Sequence, residues 1–486
     1  MHDSDKKSLA SRTVRNVAWL GSGQAIRQVV ALLTMIVLAR FLGPAEFGLF
    51  AMTVFVTELS QLLVDFGMGS ALVQRKELSQ RILASCFWVN IGVGLVAAFV
   101  LVVTSPLIAA YFGQPLVQWL LLVTAVNILL SSAAVIPQSL LARKLAFRDI
   151  TIATTVGSLC GAAAALGLAT AGMGVWSLAL QPVVGTTLAT IIMFRKSEWA
   201  PSFTFDLSSI RGLLKFSSHL LLSNVLGHVS RNLTSVILGP AMGVAALGKI
   251  TMAQTITWLP IAQVSQTVVR ATFPVFAHLQ DDMDRFREGF YKATALIALI
   301  AFPLMTGIGV LAGDLVPVVF GPKWFEAAAL VSILCVPALI QCVTTLSSTA
   351  LLAVGRSDLL FRIALFALPL AAVPLWFFRD RPLAFVVGVV AATAVVTSLF
   401  SLATALHAID GSWKRYLAAV FPPAVGSLIM GAAVWILRNA VPNVPPLGRL
   451  IGLSLLGAAL YCCLTWFLNR RAALAAFSLV RGLSAK

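Results

Sequence analysis

Acidic side chains are scarce in this chain. Only 18 of its 486 residues are Asp or Glu, against 35 Lys or Arg, and charged residues of both signs make up 11%. With 59% hydrophobic residues and a mean hydropathy of +0.94, this excludes a water-soluble globular protein, whose composition runs to about 25% charged residues. The +17 net charge would suggest nucleic acid in a soluble chain. Here it is spread over short gaps between apolar runs, where it faces anionic lipid, so no nucleic-acid partner is expected. The six cysteines (Cys86, Cys160, Cys335, Cys342, Cys462 and Cys463) form no C-x-x-C pair, which leaves no zinc site or disulfide framework and reads as packing. Among the five histidines, His219 and His228 are nine apart and share no helical face, so they read as polar packing residues rather than a metal pair. Asp281, Asp282 and Asp284 lack the glycine and glutamate spacing of a calcium loop, and no glycine-rich lysine loop exists to cradle a nucleotide. Neither metal nor cofactor is expected. No short apolar stretch with a small-residue cleavage pattern follows the basic residues 1–16, so no cleaved signal peptide is expected.

What is present is a series of long apolar runs, at approximately 14–39, 46–66, 82–105, 115–136, 150–171, 174–194, 213–238, 243–269, 291–312, 326–352, 358–378, 383–406, 416–437 and 447–468. Runs of about 20 residues span a ~30 Å hydrocarbon core as helices, the form that satisfies every backbone group in lipid. The fold class is therefore all-α polytopic membrane protein, with about 14 transmembrane helices. Of the 35 Lys and Arg, all but nine fall in alternate gaps beginning with the N-terminus. Arg40, Lys323, Arg379, Arg381, Arg438 and Arg449 occupy the opposite gaps, and Arg27, Arg231 and Lys249 lie within apolar runs. The alternation places both termini in the cytoplasm.

An internal repeat is visible. Leu42-Gly43-Pro44-Ala45 followed by Phe47-Gly48-Leu49 recurs as Leu238-Gly239-Pro240-Ala241 followed by Leu247-Gly248-Lys249. Six spans separate the copies, so both halves enter the membrane in the same direction, as parallel repeats. The expected organisation is a cytoplasmic N-terminus (1–12), an N-lobe of six spans (13–194), a cytoplasmic linker (195–212), a six-span C-lobe (213–406), two further spans (407–468) and a cytoplasmic tail (469–486). Two lobes facing each other across a central cavity is the geometry of an alternating-access carrier. The extramembrane gaps are too short to hold a catalytic domain, so an enzyme is not expected. Trp19, Trp88, Trp119, Trp176, Trp324, Trp413 and Trp466 lie near span ends or turns, as in an interfacial aromatic belt.

The chain resembles the polysaccharide flippases (Wzx-type oligosaccharide-lipid transporters) of the multidrug/oligosaccharidyl-lipid/polysaccharide exporter superfamily, nearest the colanic-acid-type branch. The residues that carry the resemblance are Thr13-Val14-Arg15-Asn16, the turn Ala39-Arg40-Phe41-Leu42-Gly43-Pro44-Ala45-Glu46-Phe47-Gly48, Asp65-Phe66-Gly67-Met68-Gly69, Phe320-Gly321-Pro322-Lys323-Trp324 and Leu352-Ala353-Val354-Gly355-Arg356. The resemblance implies a two-lobed fold of the multidrug-exporter type and a lipid-linked glycan as cargo for surface polysaccharide synthesis. The implied partners are membrane lipids and the polymerase and export machinery of that process. The glycan itself is not identified by it.

Several polar residues in the apolar runs need a reason to be there. A cation at mid-bilayer costs ~2.5–3.5 kcal/mol on insertion scales. Arg27 in span 1, Arg231 in span 7, and Lys249 and Arg270 at the two ends of span 8 are the candidate substrate-binding cations. Cations suit a diphosphate, and the planar fork of Arg binds phosphate oxygens in pairs. Snorkelling toward an interface is the plain alternative for Lys249 and Arg270, and an internal ion pair for Arg27. Glu58 and Asp65 in span 2 are seven apart with Gln61 between them, on one helix face. Glu58 is expected either to pair with Arg27 and position it, or to exchange H⁺ or Na⁺ as a coupling group. Outward movement of two negative charges across an inside-negative membrane gains ~4–5 kcal/mol per 100 mV, so coupling is not strictly required. A drug or metabolite antiporter would favour acids over cations in its cavity, and a lipid II-type flippase would differ only in the glycan.

Overall fold

The apolar runs fold as helices, with turn residues that match their geometry. Gly113 takes φ 62° after the helix ending at Phe112 and donates its N–H to Ala110, and Pro115 begins the next helix where a missing N–H costs nothing. Ser79 and Asp282 cap other helices by accepting from the N–H of Ile82 and Arg285. The computed structural model describes residues 3–65, 79–204 and 232–468, together with Gly69, Leu72, Asp206 and His228.

In chain order the helices are α1 (Asp3–Phe41), α2 (Pro44–Asp65), α3 (Gln80–Phe112), α4 (Pro115–Arg143), α5 (Phe147–Thr170), α6 (Trp176–Ser197), α7 (described over 232–242), α8 (Val244–His278), α9 (Met283–Phe320), α10 (Ala327–Ala353), α11 (Ser357–Phe378), α12 (Leu383–Ala408), α13 (Trp413–Ala440) and α14 (Pro446–Leu468). A 3₁₀ turn over Pro322–Trp324 precedes α10. Each helix falls on one of the apolar runs. Eleven are long and apolar enough to cross a membrane by length and composition. Several outrun their apolar segments, because polar helix-formers continue the hydrogen-bonding ladder past the hydrocarbon. α9, for example, starts with Met283-Asp284-Arg285-Phe286. Large apolar side chains such as Phe99, Leu107, Phe377 and Phe467 face outward, a surface that only lipid covers without cost. Trp324 departs from the expected aromatic belt. It is fully buried, because the 3₁₀ turn folds its ring inward.

The chain divides into two compact units, Met1–Gly248 and Lys249–Lys486. The division falls within α8 rather than in the expected linker at 195–212. Part of the reason is local. A Cβ on Gly48 would lie 1.8 Å from the carbonyl oxygen of Val244, and one on Gly248 would lie 1.8 Å from that of Pro44. The start of α2 and the start of α8 therefore touch backbone to backbone, in a reciprocal contact. Gly48 and Gly248 are the corresponding glycines of the two repeat copies. The crossing ties the first turn of α8 to the first unit, where Leu247 joins Ala51, Met52, Leu101 and Leu121 in one apolar core.

Within the first unit, α5 and α6 also pack at backbone distance. A Cβ on Gly157 would sit 2.4 Å from Gly185 O, and one on Gly161 would sit 2.6 Å from Gln181 O, so the Gly157-x-x-x-Gly161 pattern serves helix packing within the chain. α3 meets α4 where Asn90 Nδ2 donates to the Ser132 carbonyl at 2.8 Å. The second unit is organised around α9 and α10, with Phe286, Phe290, Met305, Leu346, Leu402 and Tyr416 in its core. Tyr461 of α14 donates to Leu299 O of α9 at 2.9 Å.

Candidate functional site

Arg27 lies in the body of α1, half-buried. Its Nη1 donates to Thr154 Oγ1 on α5 at 2.9 Å and its Nη2 to Gln24 Oε1 at 2.6 Å. Gly23 makes this reach possible, since a Cβ there would sit 2.1 Å from Thr151 Cγ2 and push α1 off α5. The Thr154 hydroxyl donates to Ile150 O at 2.9 Å and so presents its lone pair to the guanidinium. No carboxylate partner of Arg27 exists among the described residues. Among the described residues, two of its five N–H groups are engaged, both by neutral oxygens, and no anionic side chain meets it.

The expected Arg27–Glu58 pair is not formed. α1 presents Arg27 to α5, whereas α2 turns Glu58 toward the stretch that leads into α7. There Glu58 Oε2 lies 3.2 Å from His228 Nδ1 and 3.5 Å from Asn232 Nδ2. His228 is almost wholly buried (1% exposed) while Glu58 is half open at 54%. The imidazole stacks on the Phe55 ring with centroids 5.4 Å apart, and its Nε2 meets the Phe55 carbonyl oxygen at 2.9 Å. His228 thus has a specific carboxylate partner, beyond the packing role its spacing from His219 suggested. Gln61, one turn on from Glu58, instead donates to Ser131 Oγ on α4 at 3.0 Å. Asp65 is the last residue of α2; its side chain, like that of Arg270 within α8, lies outside the described residues. Arg231 also lies outside them.

Beside Glu58, the other face of α2 and the facing side of α3 form an apolar groove of about 820 Å³, lined by Phe55, Leu59, Trp88, Val96, Val100 and Ile108 among others. This groove lies within the first unit. Its lining gave no separate sequence signal, because lipid-facing and groove-facing apolar residues are the same types.

In the second unit Lys249 is not a lone cation. Its Nζ donates to Glu326 Oε2, and that hydrogen bond, with the ammonium charge, holds the Glu326 carboxyl below the usual glutamate range. A separation of 77 residues hid this partner from the sequence. A larger ionic group was not anticipated at all. Asp314 of α9 is buried (3% exposed) and accepts from Arg438 Nε of α13 at 2.7 Å and from Arg449 Nη2 of α14. Arg438 Nη1 also donates to Val310 O at 3.1 Å. A Cβ on Gly313 would lie 2.3 Å from Arg438 Nη2, so the bare glycine leaves room for the guanidinium. The available signals were an aspartate just past the apolar run 291–312 and two arginines in the gaps that hold few basic residues.

Comparison with known proteins places the chain. A family described as "Polysaccharide biosynthesis protein" matches residues 37–329, more than half the chain, and the protein belongs to that family. It is 27% identical over 370 residues to the lipopolysaccharide biosynthesis protein WzxC of Escherichia coli (strain K12), covering 74% of this chain and 73% of that one. It is 26% identical over 482 residues to the succinoglycan biosynthesis transport protein ExoT of Rhizobium meliloti (strain 1021), covering 95% of this chain and 94% of that one. Its structure resembles the inward closed conformation of the lipid II flippase MurJ with a TM-score of 0.76, at 14% identity, over 93% of this chain and 99% of that one. At that identity the likeness is one of fold. The resemblance to polysaccharide flippases drawn from the motifs is borne out, as is the all-helical membrane fold.

Proposed function

We propose, from its membership of the polysaccharide biosynthesis family, that the chain translocates a polyprenyl-diphosphate-linked oligosaccharide repeat unit. The movement runs from the cytoplasmic to the outer face of the cytoplasmic membrane by alternating access, for surface polysaccharide synthesis. The relatives' names support export of a glycan. The observation that carries the reading is Arg27, a guanidinium within a membrane span that, among the described residues, bonds only neutral oxygens. Such a group is costly unless an anion or water meets it, and a diphosphate offers paired oxygens to its open N–H groups. The apolar groove between α2 and α3 offers the kind of surface a prenyl chain requires.

In this proposal Arg231 and Arg270 extend the cationic path, and Lys249 contributes when Glu326 releases it. Glu58 and Asp65 are the coupling acids, while the membrane potential favours outward movement of the anion by itself. Both termini lie in the cytoplasm, as the alternation of basic residues demands, where the tail can meet polymerase and export machinery. An antiporter of cationic drugs is disfavoured by an uncompensated cation at Arg27, which would repel the cargo. A lipid II-type flippase shares the chemistry and is separated by the glycan head.

The test is translocation of an undecaprenyl-diphosphate oligosaccharide in vesicles by the wild-type chain, Arg27→Ala, Arg231→Ala and the double variant. Wild-type flipping with a loss in the variants is expected. Normal flipping by the double variant removes the phosphate role of these residues, and flipping of lipid II in preference to the oligosaccharide replaces the reading with its closest rival.

A further inference from the structure

We infer that Glu58 and His228 together form a proton site, in which one exchangeable proton lies between His228 Nδ1 and Glu58 Oε2. The inference deepens the reading above by naming the coupling ion and its second ligand, and it rests on that reading only for what the proton drives.

The argument is one of donors and acceptors. A backbone carbonyl is an acceptor only, so the 2.9 Å contact between His228 Nε2 and Phe55 O requires the hydrogen on Nε2. If the imidazole carried no second hydrogen, Nδ1 would be a bare lone pair. It would then face a carboxylate oxygen at 3.2 Å, with two acceptors opposed. The contact is attractive only when a proton sits between them, whether on the ring or on the carboxyl. The spacing is that of a hydrogen bond and leaves no room for a sodium ion between the two atoms. The site is therefore selective for H⁺.

Asn232 completes it. Its Nδ2 lies 3.3 Å from His228 Nδ1, 3.5 Å from Glu58 Oε2 and 3.2 Å from His228 O. An amide N–H stands ready for whichever acceptor the proton leaves bare. With one of its two N–H groups on the His228 carbonyl, only the other is left for Glu58 or for Nδ1. Loss of the proton thus turns the contact between α2 and the His228 segment from attractive to repulsive, and re-formation of the contact takes a proton up. The two partners differ as a shuttle requires: His228 is sealed against the Phe55 ring, and Glu58 is half open and offers the way in and out.

No other described ionisable side chain confuses the reading. On α2, Glu46 is turned back to the N–H of Gly43. The charged residues of the neighbouring helices lie at their ends: Arg81 on α3, Arg143 on α4, and Arg195 and Lys196 on α6. The residues of α4 level with Glu58 are Thr124 and Ser131, which meet Thr57 and Gln61. α7 over 232–242 carries no ionisable side chain. Asp65, Arg75, Lys76 and Glu77 after Glu58, and Arg211, Lys215, His219 and Arg231 around His228, lie with their side chains outside the described residues.

The experiment uses the full chain in proteoliposomes, with a pH-sensitive dye inside and undecaprenyl-diphosphate oligosaccharide as the lipid substrate. Flipping and proton movement are recorded separately for the wild type, Glu58→Gln and His228→Gln. Glu58→Gln is the primary variant, since its half-open side chain tolerates a neutral isostere. The inference expects proton movement in the wild type and at least a tenfold loss of it in both variants. Wild-type proton movement in either folded variant overturns it, as does wild-type flipping with no proton movement. If the wild type fails to flip this lipid yet carries protons down a pH gradient in a manner that needs both residues, the glycan reading fails and the proton site stands. If neither flipping nor proton movement occurs, both fail.

Discussion

The two units treat buried charge in opposite ways. In the second, Asp314 is locked by two arginines and Lys249 by Glu326. In the first, among the described residues, Arg27 bonds only neutral oxygens and Glu58 meets a histidine. A carboxylate that accepts from two guanidiniums is satisfied and has nothing left to offer a moving ligand. Under the proposed function, a guanidinium with open donors and a carboxylate shared with an imidazole are the groups that can change partner. The contrast then separates ionic groups that hold helices together from those proposed for transport, and it does so by their partners, since the residue types are the same.

The largest effect should come from breaking the saturated cluster. Asp314→Ala leaves Arg438 and Arg449, both partly buried, without their carboxylate and is expected to cost up to ~3–5 kcal/mol, read as lowered thermal stability of the purified chain. Replacing all three residues by apolar ones of similar volume should recover most of that loss. Failure to recover would mean that the cluster does more than hold α13 and α14 to α9.

Arg27→Ala should show the reverse pattern, with little change in stability and a drop in flipping of about 10–100-fold. That is the scale of a lost charge-assisted hydrogen bond of ~1.5–3 kcal/mol. A stability loss as large as that of Asp314→Ala would place Arg27 with the structural ions and erase the comparison. Thr154→Val removes one of the two acceptors that aim Arg27. A hydrogen bond from a charged donor contributes ~1.5–3 kcal/mol, so flipping should fall by at most about 10–100-fold, with Arg27→Ala adding little more in the double variant.

Lys249→Met should matter least, because Glu326 is open to solvent and exposed pairs contribute little. Its pH dependence has a definite sign. The Glu326 carboxyl is held below its ordinary range by Lys249, so the pair's contribution is present above the unfolded glutamate value and fades as pH falls through the lowered one. An acid titration of Lys249→Met beside the wild type should differ only in that low range.

Much of this could be read from the chain. The apolar runs became helices in the expected order, and the repeated Leu-Gly-Pro-Ala turns proved to flank glycines that touch each other, Gly48 and Gly248. Arg27 stood out because an arginine inside an apolar run has no local reason to be there. The partners of these residues were not legible. Arg27 was expected to meet Glu58 from the next helix and met Thr154 on α5. His228 read as packing and met Glu58. Asp314 drew no notice and met two arginines more than 120 residues away.

The division has a physical cause. Hydrophobicity, helix breaks and the placement of basic residues act through the bilayer on one segment at a time, so composition and order along the chain were enough to establish a helical membrane protein with a duplicated turn and a few intramembrane ions. Whether an ion is satisfied depends on which helix face meets which. That follows from how closely neighbouring groups approach at glycines such as Gly23, Gly48 and Gly313, and only the packed tertiary structure contains those approaches.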